Sequence, residues 1–406
     1  MTDIEIAAII LSLTAALAYI NARFVKLPTG IGLMAIAPVG SFAMIGLDSL
    51  GVIHVARFEH VIARANFGDT LLHGMLGLLL FAGALQLDVG ALREQRLPVV
   101  VLALGGTIVS TLLVGGAIYA VFGALGRPLP LVDAMLFGAL ISPTAPIAVL
   151  SVLKISKVPN ELSIQIAGES LFNDGVGVVV FTVVLAIAAG GHVSAGGACW
   201  LFVRVAFGGA VFGVGMGVLG RYLLRDLREY SVQVLITLGL VFGGYALAEE
   251  LGMSAPIAAV VAGLIVGRAE RKPDDHLVVF WEMVDEVLNA VLFLMLGLEA
   301  TRLVVSKQLA IGAVIAVPLV LAARLVSVAA SVTVIRPFTG PASRHALAIL
   351  TWGGLRGGLS VALALTLPDG PHRDEILAMT YAVVCFAILV QGLTLQRLLR
   401  RLGLAT

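Results

Sequence analysis

Charge is scarce in this chain. Lysine, arginine, aspartate and glutamate make up 13% of its 406 residues, about half the share of an ordinary soluble domain, which excludes a globule with a solvated surface. Cysteine is nearly absent as well. The two present, Cys199 and Cys385, lie in separate apolar runs and offer no disulfide framework. The seven histidines show no metal-ligand spacing, and no Ser/His/Asp grouping is found, so neither a zinc site nor a hydrolytic triad is supported. A net charge of +1 leaves no footprint for nucleic acid. The start, Met1-Thr2-Asp3-Ile4-Glu5, lacks the basic region and small-residue cleavage site of a signal peptide, so the first apolar run is expected to remain as a helix. What is abundant is apolar: 59% hydrophobic residues and a mean hydropathy of +1.05 predict an all-α polytopic membrane protein.

Dividing the chain at charged or Gly/Pro-rich connections gives apolar segments of spanning length at 4–21, 28–47, 70–88, 97–124, 131–153, 162–190, 198–221, 231–250, 254–267, 277–299, 308–335, 345–367 and 375–396. That predicts about 13 transmembrane helices. An amphipathic stretch, His54 to Asn66, reads as an interfacial helix between the second and third. Loops after odd-numbered spans, together with the C-terminal tail, hold most of the 26 lysines and arginines. The C-terminus is therefore expected in the cytoplasm and the N-terminus outside. The tail ends at Thr406, shortly after the last span, and no cytoplasmic regulatory domain is expected.

Two spans are interrupted. The fifth contains Ser142-Pro143-Thr144-Ala145-Pro146, where two prolines remove backbone donors and clash with the preceding turn. The twelfth contains Gly353-Gly354-Leu355-Arg356-Gly357-Gly358, four glycines around a cation. They are seven spans apart, and an odd offset means that equivalent helices cross the bilayer in opposite directions. Six helices, one linker and six more thus form a 6+1+6 inverted repeat with two discontinuous crossing helices, the pattern that marks a transporter's binding site.

The sixth span carries the chemistry. Gly168-Glu169-Ser170-Leu171-Phe172-Asn173-Asp174-Gly175 places two carboxylates and an amide inside an apolar stretch, where each ionisable side chain costs about 2.5–3.5 kcal/mol on insertion scales and usually marks an ion or proton path. At 100° per residue Ser170 and Asp174 share one stripe, and Glu169 and Asn173 share another beside it. The two carboxylates therefore need different partners. Arg324 in the eleventh span and Arg356 in the twelfth are both available, and once one of them pairs with Glu169 the other carboxylate has no fixed partner. Apolar surroundings disfavour the charged form of a carboxyl group, and a small hard cation prefers oxygen ligands, so a single carboxylate can hold either H⁺ or Na⁺.

Taken together, the fifth-span run Ile141 to Leu150, the sixth-span run Gly168 to Gly175, the twelfth-span run Gly353 to Gly358 and the third-span run Leu78 to Leu92 resemble the bacterial NhaP-type monovalent cation/proton antiporters, over essentially the whole chain and in order. The resemblance implies Na⁺(Li⁺)/H⁺ exchange by alternating access in a bacterial inner membrane, with the ions as substrates and no cofactor. It implies that Asp174 binds Na⁺ or H⁺, with Asn173 and Ser170 beside it and Thr144 lending an oxygen, so that Asp174, Ser170 and Thr144 are the expected Na⁺ ligands. It also implies a structural Glu169–Arg324 pair, electroneutral stoichiometry and a homodimer. In that scheme residues 1–96 and 226–305 form the dimerisation domain, 97–190 and 306–406 the ion-transport core, and 191–225 the linker helix. One departure stands out: the family pattern Pro-Thr-Asp-Pro is Pro143-Thr144-Ala145-Pro146 here. Where two half-helix N-termini meet, each presents about half a positive charge, and Ala145 leaves them uncompensated, which is expected to impair transport. Arg356 is expected to balance the opposite case, where C-terminal ends meet.

Other candidates have simpler readings. Glu282, Asp285 and Glu286 before Asn289 suggest a cation funnel but read more simply as a solvated helix end, His345 as interfacial, and Arg204 as snorkelling or paired locally. Gly209, Gly213 and Gly217 form a small-residue stripe suited to packing within the chain or across a dimer. Two alternative functions share the scaffold: K⁺/H⁺ exchange and sodium-coupled symport of an organic anion. The symporter needs a second cation cluster, and the sequence offers one carboxylate-centred cluster.

Overall fold

The computed structural model describes residues 3–404 except 28, 30, 34, 38–39, 41–69, 146, 155, 157, 190–194, 268–275, 301–306, 340–342 and 344. Among the described residues every regular element is helical, and seven helices are long and apolar enough to cross a membrane. The interfacial stretch His54 to Asn66 and much of the second apolar segment lie outside the described residues. The helices that position the site are α1 Asp3–Ile20, α2 Leu76–Gln86, α3 Thr107–Ala124, α4 Leu131–Ile141, α5 Ile147–Lys154, α6 Asn160–Ala188, α7 Ala195–Leu224, α8 Tyr230–Glu250, α9 Ala255–Gly267, α10 His276–Ala300, α11 Lys307–Thr339, α12 Ala346–Trp352, α13 Gly358–Leu365, α14 Arg373–Phe386 and α15 Leu393–Arg401.

Packing falls into two groups. Helices α2, α7, α8, α9 and α10 pack mainly on one another, as do α3, α4, α6, α11, α13 and α14, while α6 also touches α7 and α9. The glycine stripe of α7 explains one close approach. A Cβ on Gly213 would fall 2.6 Å from the Ala258 carbonyl of α9, and one on Gly209 would fall 2.5 Å from that of Ser254, so the stripe packs within the chain. Large side chains face outward on the same helix, Trp200, Phe207 and Tyr222 among them. In a bilayer such side chains meet lipid rather than water.

The fifth and twelfth spans are both broken. Helix α4 stops at Ile141 and α5 starts at Ile147, because Pro143 cannot donate to the ladder and its ring crowds the preceding turn. Helix α12 stops at Trp352 and α13 starts at Gly358, with Gly353, Gly354 and Gly357 in the gap. The two gaps are joined by backbone: the Ala145 N–H donates to the Leu355 carbonyl at 2.8 Å. Of the four π-helical turns among the described residues, two lie in long apolar runs whose composition does not announce them, Val101–Gly106 leading into α3 and Ala387–Gly392 between α14 and α15. The first is supported from α11, whose Ser327 hydroxyl donates to the Gly106 carbonyl at 2.8 Å.

Candidate ion-binding site

The site forms where the middle of α6 passes the two gaps. Glu169, Ser170 and Asn173 are buried there, as is Thr144 in the extended link between α4 and α5. Asn173 and Thr144 clamp each other. The Thr144 N–H donates to Asn173 Oδ1 at 3.2 Å, and Asn173 Nδ2 donates back to Thr144 Oγ1 at 2.8 Å. Thr144 Oγ1 also lies 3.0 Å from Ser170 Oγ. Backbone that the prolines strip of helical partners is thus held by an α6 side chain. Gly177, one turn further along α6, makes room for the link, since a Cβ there would fall 2.2 Å from Pro143 Cγ.

Glu169 is fully engaged. Arg324 of α11 grips it with both arms, Nη1 to Oε1 at 2.5 Å and Nη2 to Oε2 at 3.0 Å, the bidentate geometry in which such pairs are strongest. Nη2 also donates to the Leu350 carbonyl at 3.0 Å, near the C-terminal end of α12. Arg356 serves the other broken span. Its Nη1 donates to the carbonyls of Ser142 and Pro143, the latter at 3.1 Å, so its charge lies at the C-terminal end of α4, where the helix dipole is negative. The first half of each broken span therefore ends, at its C-terminus, on an arginine from another segment.

Among the described residues, no carboxylate matches these arginines at the helix starts of the second halves, α5 and α13. A Cβ on Gly357, just before α13, would fall 2.5 Å from Ala145 Cβ, just before α5. A methyl group therefore sits where the two helix starts converge. Asp174 differs from Glu169 in every respect that matters here: it is partly exposed, and among the described residues it has no hydrogen bond or ion pair. The next residue, Gly175, faces α9, where a Cβ would fall 2.7 Å from Ile257 Cγ1.

The remaining candidates lie apart from this cluster. Glu282 and Glu286 are exposed on α10, and Asn289 donates to the side chain of Asp285 at 3.0 Å. His345 sits half-buried at the start of α12, and Arg204 is exposed on α7. Sequence reasoning missed a hydroxyl chain behind the first gap. Thr111 Oγ1 donates to Ser142 Oγ at 3.3 Å, and Ser142 Oγ lies 3.0 Å from Ser110 Oγ and 2.7 Å from the Gly138 carbonyl. A signal was present, because Thr107, Ser110 and Thr111 follow the i, i+3, i+4 spacing of one helix face inside an apolar span. Gln391, which donates to the Trp352 carbonyl at 3.2 Å from the π-helical turn Ala387–Gly392, carried no such signal.

Residues 11–401 match the family described as sodium/hydrogen exchanger, transmembrane. The Na⁺/H⁺ antiporter NhaP of Pseudomonas aeruginosa is 44% identical, with 98% of this chain and 97% of that protein covered. NhaH of Halobacillus dabanensis, also a Na⁺/H⁺ antiporter, is 34% identical over 94% of each. Among solved structures, the sodium proton antiporter MjNhaP1 from Methanocaldococcus jannaschii shares the fold, with a TM-score of 0.74 at 20% identity and 97% of both chains covered. The chain belongs to the sodium/hydrogen exchanger family.

Proposed function

We propose that this chain is a secondary antiporter that exchanges Na⁺ or Li⁺ for H⁺ across a bacterial inner membrane, with Asp174 as the carboxylate that binds either ion. The observation that carries the reading is the contrast between two neighbours on α6. Glu169 is neutralised by Arg324 through two hydrogen bonds, whereas Asp174 has no partner among the described residues and is partly exposed. A cation or a proton each neutralises a single carboxylate once, so exchange at this residue is one for one and electroneutral. Ser170, one helical turn from Asp174, and Thr144, whose Oγ1 lies 3.0 Å from Ser170 Oγ, would supply hard oxygen ligands for Na⁺, and Asn173 holds Thr144 in place. The ions are substrates, and no cofactor enters the scheme.

Residues 97–190 and 306–406 form the ion-transport core in this proposal, moving against a dimerisation domain of 1–96 and 226–305 in a homodimer, with 191–225 as the linker. The two packing groups support that division, and α6, which touches both, carries the ion site along the seam. The lysine and arginine bias supports a cytoplasmic C-terminus and an external N-terminus. The test is proton flux in proteoliposomes with an imposed pH gradient, read by a pH-sensitive dye on addition of Na⁺, Li⁺ or K⁺. Asp174→Asn keeps the shape but cannot trade a proton for a cation, so its exchange should vanish with folding intact. Substantial residual exchange in that variant would place the site elsewhere.

A further inference from the structure

Three ionisable side chains are almost wholly buried beside the two gaps: Glu169 at 1% exposure, Arg324 at 4% and Arg356 at 2%. Among the described residues, their charges leave one positive charge uncancelled. Arg324 takes up Glu169, so the uncancelled cation is Arg356, whose hydrogen bonds go to the carbonyl oxygens of Ser142 and Pro143. A helix C-terminus supplies only about half a negative charge, and a buried charge without a full partner is costly. Position 145, close to both helix starts, holds a methyl group.

Each guanidinium also has a donor left over. Among the described residues, Arg324 Nε and Arg356 Nη2 are buried and make no hydrogen bond. Both side chains line one cavity with Gly354, Val320 and Gln391. Its volume of about 10 Å³ is close to the room that a single water-sized occupant needs. A Cβ on Gly354 would fall 2.5 Å from Arg324 Nε, so the glycine lets the guanidinium pack directly against the backbone of the gap.

We propose that this cavity is a halide site, in which one chloride accepts from Arg324 Nε and Arg356 Nη2 and supplies the counter-charge that the buried set lacks. The size selects a monatomic anion over sulfate or phosphate. A water molecule would satisfy both donors but leave the charge uncancelled. The site is separate from the cation site at Asp174, and its occupant is structural rather than transported.

The experiment uses the whole chain in lipid nanodiscs at constant Na⁺, with gluconate replaced stepwise by chloride or bromide. The melting temperature should rise saturably with either halide and stay flat with sulfate. Crystals grown in bromide should show an anomalous peak between Arg324 and Arg356. Ala145→Asp adds a fixed carboxylate near the same charges and should weaken the apparent halide affinity at least tenfold. Melting that is indifferent to halide, or a bromide map without a peak between the two arginines, would mean water alone and overturn the proposal. Unchanged halide affinity in Ala145→Asp would overturn the charge-balancing role. Should that variant fail to fold, the bromide map of the unaltered chain still decides.

Discussion

Replacing Glu169 by glutamine removes one charge and almost no volume, and its cost can be worked from the contacts of Arg324. Two charge-assisted hydrogen bonds hold that guanidinium. In the variant one arm faces an amide oxygen and the other meets an amide N–H, which cannot accept. Arg324 stays at 4% exposure with its charge uncancelled, and breaking one side of a buried pair costs about 3–5 kcal/mol. With the unfolding entropy per residue of globular proteins, that corresponds to a fall in melting temperature of roughly 4–6 °C for a chain of this length. Tryptophan fluorescence in nanodiscs reads it directly. The double variant Glu169→Met, Arg324→Met should recover most of the loss, since replacing a whole buried pair by apolar groups is often neutral. It should fall short by about 1 kcal/mol, because the Leu350 carbonyl loses its donor. A Glu169→Gln protein that melts with the parent while losing Na⁺ affinity would refute the reasoning and make Glu169 a ligand.

Three further variants probe the gap. Thr144→Val keeps the shape of the side chain but strips Asn173 Nδ2 and Ser170 Oγ of their partner; at about 1–3 kcal/mol for each orphaned group, both melting temperature and Na⁺ affinity should drop, and unchanged values would mean the clamp is idle. Ala145→Asp places a carboxylate where two helix starts converge, so exchange at limiting Na⁺ should rise several-fold; equal rates in matched vesicles would show the position to be electrostatically silent. Gly177→Ala drives a methyl into Pro143 and should cut exchange strongly while circular dichroism keeps its helix signal; full activity would show that the link tolerates displacement.

Much of this arrangement could be read from residue order. The interruptions were legible because proline and clustered glycine act locally, through a missing donor and a missing side chain, and both broken spans lie where Pro143 and Gly353 to Gly358 stand. That one carboxylate of α6 would need a cation was legible too, since charges in an apolar span demand partners. Which arginine it takes was not, because Arg324 and Arg356 differ only in where distant helices carry them. The stripe of Gly209 and Gly213 was legible as a packing face, but its occupant, α9, is a fact of tertiary structure. The π-helical turns were hidden for a related reason: Val101–Gly106 reads as an unbroken apolar run, and the hydroxyl that supports its freed carbonyl, Ser327, comes from a helix more than two hundred residues away.

Gly175 has a mechanical consequence. Interlocking side chains resist sliding, because each must climb out of its socket before the next register is reached. Next to Asp174, α6 presents α9 with bare backbone, against which Ile257 rests. Such a contact behaves as a bearing. If α6 moves against α9 as proposed, the contact beside Asp174 opposes it with no α6 side chain at position 175, and displacement there would meet less resistance than between two interlocked side chains.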